Sequence, residues 1–163
     1  MRIMQMCIFP ILIFAVGCAT TKPKVSQLQM REFQTKTTEA DMKTTMKAMM
    51  AVLQDDSYML KEANLDLGLI TAQKEVDVQD TGAAVVAVLF AGANARWAKN
   101  SIWEATANVT EYGDKCKVRV TFQMKKMNNK GEVMEVQQVD TENHYVEFFD
   151  KVDKAIFLQK EGL

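Results

Sequence analysis

The chain has 163 residues, with 20 lysine and arginine residues against 21 aspartate and glutamate residues, so its formal net charge at pH 7 is −1. This balance lacks the basic excess expected of a nucleic-acid-binding protein, and we predict no nucleic-acid partner. One histidine and three cysteines make a zinc site or a disulfide framework improbable, whereas the length suits a single domain with a real core.

The chain opens with an apolar run from Ile3 to Val16, which gives way at once to a polar stretch. The run is interrupted by Pro10 and is shorter than the roughly 20 residues that cross a bilayer. Arg2 precedes it and small residues end it, which is the arrangement of a secretory signal peptide. We therefore predict a signal peptide over residues 1–17 rather than a membrane span.

The end of this region, Ala15-Val16-Gly17-Cys18, resembles a bacterial lipobox in which Ala15 stands where Leu is more common. The resemblance implies cleavage before Cys18, a thioether-linked diacylglycerol on its sulfur and an acyl chain on its new amino group. These covalent lipids are the only attached groups that we expect, and we predict no cofactor or metal. The alternative is a cleaved secretory signal in which Cys18 is a chance residue.

The residues after Cys18 bear on where the anchored protein would lie. Ala19 and Thr20 lack the Asp that retains many such lipoproteins in the inner membrane, so the resemblance implies an outer-membrane location facing the periplasm. The stretch 18–26 is polar and contains Pro23, which predicts a lipidated tether. One folded domain is then expected over 27–163.

The first elements of this domain are predicted as a strand and a helix. "SQLQMREFQT" partly alternates and suggests a strand, and "TEADMKTTMKAMMAVLQDD" has helical periodicity. Thr38 and Asp41 form a Thr-x-x-Asp capping signature before the helix. The helix carries one apolar stripe, which favours a core face over an adaptable methionine-rich binding surface: Met42, Met46, Met49, Met50 and Leu53.

Two strand segments follow, one through Tyr58 and Leu60 and one through Ile70, Ala72 and Val76. Turn-forming residues from Asn64 to Gly68 separate the two segments.

The next segment, inserted at 82–98, is the hardest to assign to a structural role. Gly82 to Ala93 is almost without polar atoms, too short to span a bilayer and too uniform for an amphipathic helix. Three interpretations remain for this segment: a buried helix, a segment that dips into the leaflet, and a docking site for a membrane partner. For the last two interpretations the candidate contact residues are Val85, Val86, Val88, Leu89, Phe90, Arg96, Trp97 and Lys99, the last three being types that favour a headgroup boundary.

Three alternating segments then predict an antiparallel meander, with turns at Gly113-Asp114 and at Asn128 to Gly131. In "KCKVRVTFQMK" the alternation places Cys116 on the core side, where it acts as a small hydrophobe rather than a reactive thiol. A last helix follows, with Thr141 as its expected cap and an apolar stripe of Tyr145, Phe149, Val152 and Ile156.

This order predicts an α+β fold in which two amphipathic helices pack on one face of an antiparallel sheet, in the order β-α-β-β-β-α. The stretch "REFQTKTTEADMKTTMKAMMAVLQDDSYMLKEANLDLGLITAQKE" resembles a family of uncharacterised Gram-negative outer-membrane lipoproteins, with Ser57 where that family more often has Gly. The element order also resembles the helix-grip domains of β-barrel assembly lipoproteins.

Catalytic chemistry finds little support in the sequence. The only histidine, His144, lies beside Glu142 and Asn143 in the first turn of the last helix, where we expect a solvated side chain without a nucleophile. We therefore predict a non-enzymatic, lipid-anchored periplasmic binding or scaffold protein, accessory to an envelope assembly and contacting an envelope protein. The alternative is a carrier or chaperone for a lipid or other apolar ligand held between sheet and helices. The oligomeric state stays open.

Overall fold

The fold is described from a computed structural model, which covers residues 25–162. The predictions for the signal peptide, for Cys18 and for most of the tether lie outside the described residues. In chain order the elements are α1 (Gln27–Phe33), β1 (Thr35–Thr38), α2 (Met42–Asp55), β2 (Met59–Asn64), β3 (Leu69–Asp77), α3 (Thr81–Ala91), a 3-10 turn (Gly92–Asn94), β4 (Ala98–Tyr112), β5 (Lys115–Asn128), β6 (Val133–Gln138) and α4 (Glu142–Glu161).

The six strands form one antiparallel sheet in the order β1-β5-β4-β3-β2. β6 pairs with residues 123–127 of β5, while β1 pairs with residues 116–119 of the same strand, so the two short strands share one edge. The predicted meander of β4, β5 and β6 is confirmed. The α+β fold class is confirmed as well.

One face of the sheet is covered by α2 and α4, which also pack against each other. Strand alternation sends Ile70, Val109 and Val118 into this layer, where each side chain is buried. Cys116 is 1% exposed, as the alternation predicted. Burial raises the pKa of its thiol, which opposes formation of the reactive thiolate.

The prediction of a strand over "SQLQMREFQT" is wrong for its first part, because residues 27–33 form α1. Ser26 and Gln29 build a capping box, in which each side chain accepts a hydrogen bond from the other residue's backbone N–H. Met30 is buried, and Phe33 packs 5.1 Å from the ring of Tyr145. The spacing of these two contacts is helical, and the strand that pairs with β5 begins only at Thr35.

The cap of α2 also differs from the prediction, because Asp41 occupies the N-cap and Thr38 ends β1. The Asp41 carboxylate accepts hydrogen bonds from the Thr44 N–H at 2.8 Å and from its hydroxyl at 2.9 Å, and these bonds lower the pKa of Asp41. The methionine stripe is confirmed as a core face, since Met46 and Met49 are buried.

Candidate functional site

The connection between β3 and β4 carries the most unusual surface in the described part of the chain. It contains α3, whose large side chains point away from the domain. The exposed fractions are 55% for Val85, 53% for Val86, 46% for Val88, 76% for Leu89 and 89% for Phe90. We call these five residues the α3 surface.

Helix formation in this segment follows from the residues at its two ends. The Asp80 carboxylate accepts hydrogen bonds from the backbone N–H groups of Gly82 at 2.8 Å and Ala83 at 3.2 Å, which caps the first turn. Gly92 ends the helix with a φ of 54° and a ψ of −135°, a conformation open to glycine because it lacks a Cβ. The bounds of α3 are therefore set by its caps and not by packing.

The burial pattern of α3 is inverted relative to a core helix. Ala84 is buried and Ala87 is half-buried, so small side chains face the domain while Leu89 and Phe90 face outward. No α3 residue belongs to the main core cluster of the described domain. The interpretation of this segment as a helix that fills the core is wrong, and its two other interpretations stay open.

The base of the α3 connection is fixed to the sheet. The Val78 N–H donates to the Lys99 carbonyl at 3.0 Å, so the chain leaves and re-enters the sheet at one place. Asn129, in the β5–β6 turn, binds the returning segment: its backbone N–H donates to the Trp97 carbonyl at 3.1 Å and its amide group to the Ala95 carbonyl at 3.3 Å. These bonds fix the two chain segments from which α3 projects.

The three residues predicted at a headgroup boundary differ in their surroundings. Arg96 forms an ion pair with Glu132, with 3.2 Å between Nη1 and Oε2. Trp97 is half-buried, and its indole Nε1 is enclosed without a hydrogen-bond partner among residues 25–162. Lys99 is exposed. The structure thus brings all three to the base of α3, with Trp97 only partly available for an outside contact.

Asn129 is a residue of the candidate site that sequence reasoning missed. The turn from Asn128 to Gly131 was predicted from backbone conformation alone, and Gly131 does adopt a positive φ of 79°. Its partners Trp97 and Ala95 lie 32 and 34 positions away in the chain. Contacts at such a distance leave no pattern in the neighbouring sequence. The role of Asn129 in holding α3 could not be inferred from its sequence neighbours.

The expectation of a solvated His144 is wrong. Its ring is half-buried and packs edge-on against Phe122, with 4.6 Å between centroids, and lies 6.2 Å from the ring of Trp103. Burial, and then the charge of Lys74, lower the pKa of His144. A neutral imidazole among aromatic rings is a packing element, and these contacts supply no nucleophile for it to activate.

We expect the free energy of unfolding to fall as the pH drops through about 6.5, the ordinary pKa of histidine. The unfolded chain binds the His144 proton more readily than the folded domain, so acid favours unfolding until the folded-state pKa has also been passed. His144→Phe should flatten this part of the curve of thermal midpoint against pH. An unchanged slope in His144→Phe would show that another group causes the dependence.

Comparisons with known proteins add no family assignment to this geometry. No protein-family model matches the sequence, and no curated protein is significantly similar to it. Within residues 25–162, no helix is long and apolar enough to cross a membrane. The resemblance to the lipoprotein family stays a prediction.

Proposed function

We propose that the protein is a lipid-anchored binding protein of the outer membrane that faces the periplasm and acts as a scaffold for, or accessory to, an envelope assembly. The observation that carries this proposal is the α3 surface, five large apolar side chains displayed together on a helix with a fixed base. Cys18 would supply the anchor, and α3 would supply a second contact at the membrane, either with the leaflet or with a membrane partner.

Leaving the α3 surface in water costs free energy. Monomeric soluble proteins rarely expose a contiguous large apolar patch unless it binds something. Burying one valine, leucine or phenylalanine side chain completely contributes about 1.5–3 kcal/mol. Five such side chains on one helix therefore represent a substantial binding energy, which packing inside the domain leaves unused.

The carrier hypothesis requires space for an apolar ligand between the sheet and its helices. That layer is filled by large side chains, including Met46, Phe122 and Tyr145, each at most 2% exposed. A hollow of about 660 Å³ does lie between α1 and α4, but Glu32, Glu142 and Asp150 are among its lining residues. Carboxylates are poor neighbours for an acyl chain, so the scaffold is the better-supported function.

Replacing Cys18 with serine tests the anchor. We expect Cys18→Ser to abolish incorporation of radiolabelled fatty acid and to leave an unprocessed or unanchored chain. Cys116→Ser is the matched control, because it removes a buried cysteine and should retain both label and membrane fractionation. Label that persists in Cys18→Ser would refute the lipoprotein assignment.

The same preparations separate scaffold from carrier. The native chain is isolated from mildly solubilised envelopes, and its protein and lipid fractions are identified by mass spectrometry. A scaffold is recovered with a reproducible envelope protein, which Cys18→Ser recovers less well. A carrier is instead recovered with a stoichiometric lipid that can be extracted from the folded domain, and this result would favour the alternative function.

A further inference from the structure

We infer that the α3 surface binds the acyl region of a lipid leaflet, the same leaflet that would hold the lipids of Cys18, and that the helix lies within that leaflet rather than in a groove of a protein. This inference rests on the proposed function, since it identifies what α3 contacts. It requires that lipid fits the helix better than a protein partner does.

From Gly82 onward, α3 is apolar around its whole circumference. From Gly82 to Ala93 every side chain is apolar, and only the side that carries Ala84 and Ala87 faces the domain. A helix that docks in a protein groove buries one stripe and keeps polar residues on its other side. α3 has no polar side to leave in water, so its surroundings must be apolar on every side that the domain leaves open.

The length and the backbone pairing of α3 also suit a lipid leaflet. α3 has 11 residues and is about 16 Å long, roughly half of the 30 Å hydrocarbon core. The helix pairs its own N–H and C=O groups, and the Asp80 carboxylate accepts from two N–H groups of its first turn. Internal pairing is what a backbone in lipid needs, and the length matches one leaflet.

A short stretch of chain separates the predicted anchor from the domain. Val25 lies seven positions after Cys18, so the tether reaches at most about 25 Å. A domain held that close to the leaflet meets it at high effective concentration, which favours a second contact with the same membrane.

The charged side chains around the base of α3 balance one another. Three acidic residues near the base of α3, Asp77, Asp80 and Glu132, are balanced by three basic ones, Arg96, Lys99 and Lys130. Headgroup charge therefore contributes little net attraction, and apolar burial drives the contact. Binding of this kind should be insensitive to salt, unlike the binding of a basic patch to anionic lipid.

The test places an environment-sensitive fluorophore on Phe90→Cys in the mature, full-length lipoprotein, reconstituted in protein-free phosphatidylcholine vesicles. The matched control is Tyr112→Cys, because Tyr112 is 74% exposed and stands at the far end of β4, roughly 45 Å of strand from Ala98. Cys116 is buried and should resist the label. Vesicles with brominated acyl chains report contact with lipid.

We expect the probe at position 90 to shift its emission to the blue and to be quenched severalfold more strongly by brominated lipid than the probe at position 112, equally at low and high salt. If the probe at position 90 stays as accessible to aqueous iodide as the control, the inference is overturned. Shielding that appears only after envelope proteins are added would overturn it in favour of a protein groove.

A separate measurement tests the lipid anchor on which the proposed function depends. The mass of the mature chain shows whether Cys18 carries lipid, independently of the probe. If that lipid is missing, the chain without its anchor is added to the same vesicles, and the emission and quenching of the probe at position 90 are measured again. Insertion without the anchor would support the leaflet contact and refute the lipoprotein assignment, and an aqueous probe would refute both.

Discussion

Replacing Gly68 with alanine should lower the free energy of unfolding by about 4 kcal/mol or more, in the range of exceptional single substitutions. Gly68 ends the turn between β2 and β3 with a φ of +63°, and a Cβ there would lie 2.0 Å from the carbonyl oxygen of Val109 and 2.6 Å from Cε of Met42. The methionine can move aside. The backbone carbonyl cannot, because it belongs to a central strand.

The hydrogen bond at the same place adds to the cost. The Val109 N–H donates to the Gly68 carbonyl at 2.8 Å, which fastens the β2–β3 turn to β4. Moving the turn outward to make room for a methyl group would break this bond and disturb the pairing of Leu69 with Asn108. We expect a lower urea midpoint and a lower thermal midpoint in Gly68→Ala.

Gly113→Ala is the matched control, which separates the cost of steric overlap from the cost of the backbone conformation. Gly113 also has a left-handed φ, +60°, but an added Cβ there would meet nothing within 4 Å. Its cost should be about 1 kcal/mol, the ordinary penalty of this conformation for a residue with a side chain. Equal effects of the two substitutions would show that the contact with Val109 is relieved cheaply.

This close contact also gives a physical reason for the stretch "LGLITA", on which part of the family resemblance depends. Gly68 permits the approach to β4, and Ile70 and Ala72 are buried in the core. The motif therefore describes how the sheet is assembled.

Elements with a long, regular pattern were predicted correctly from the sequence. The helical stripe of α2 and the alternation of β5 each repeat over several turns or residue pairs, so their buried faces could be assigned. α1 was missed because seven residues give too short a pattern, and its capping box was read as part of an alternating strand. Burial of His144 was missed although it stands four positions before buried Phe148, at the margin of the α4 core face.

The exposure of α3 lies beyond what composition can predict. A uniformly apolar helix has no polar side to mark its direction, so buried and exposed placements fit the sequence equally well. The placement depends on contacts distant in the chain, such as the hydrogen bonds of Asn129 to Ala95 and Trp97. Only the folded sheet brings these segments together.

Replacing a valine with aspartate should have little effect on stability at Val86 and a large effect at Val118. Val86→Asp should leave the thermal midpoint nearly unchanged, because Val86 is 53% exposed on α3 and the new charge stays in water. Val118→Asp is the matched control, since Val118 is 0% exposed in β5, between β1 and β4. There an unpaired carboxylate would be buried at a cost of several kcal/mol, enough to unfold the domain.

Thermal unfolding is measured on the chain that starts at Val25 and lacks the anchor, which contains the whole described core. Association with vesicles is then measured on the lipidated protein. Val86→Asp should keep the fold and return a probe at position 90 to water, since a charge near the centre of an inserted helix opposes burial in lipid. A large fall in the midpoint of Val86→Asp with unchanged vesicle contact would mean that α3 is packed inside the domain after all, and the α3 surface would lose its functional role.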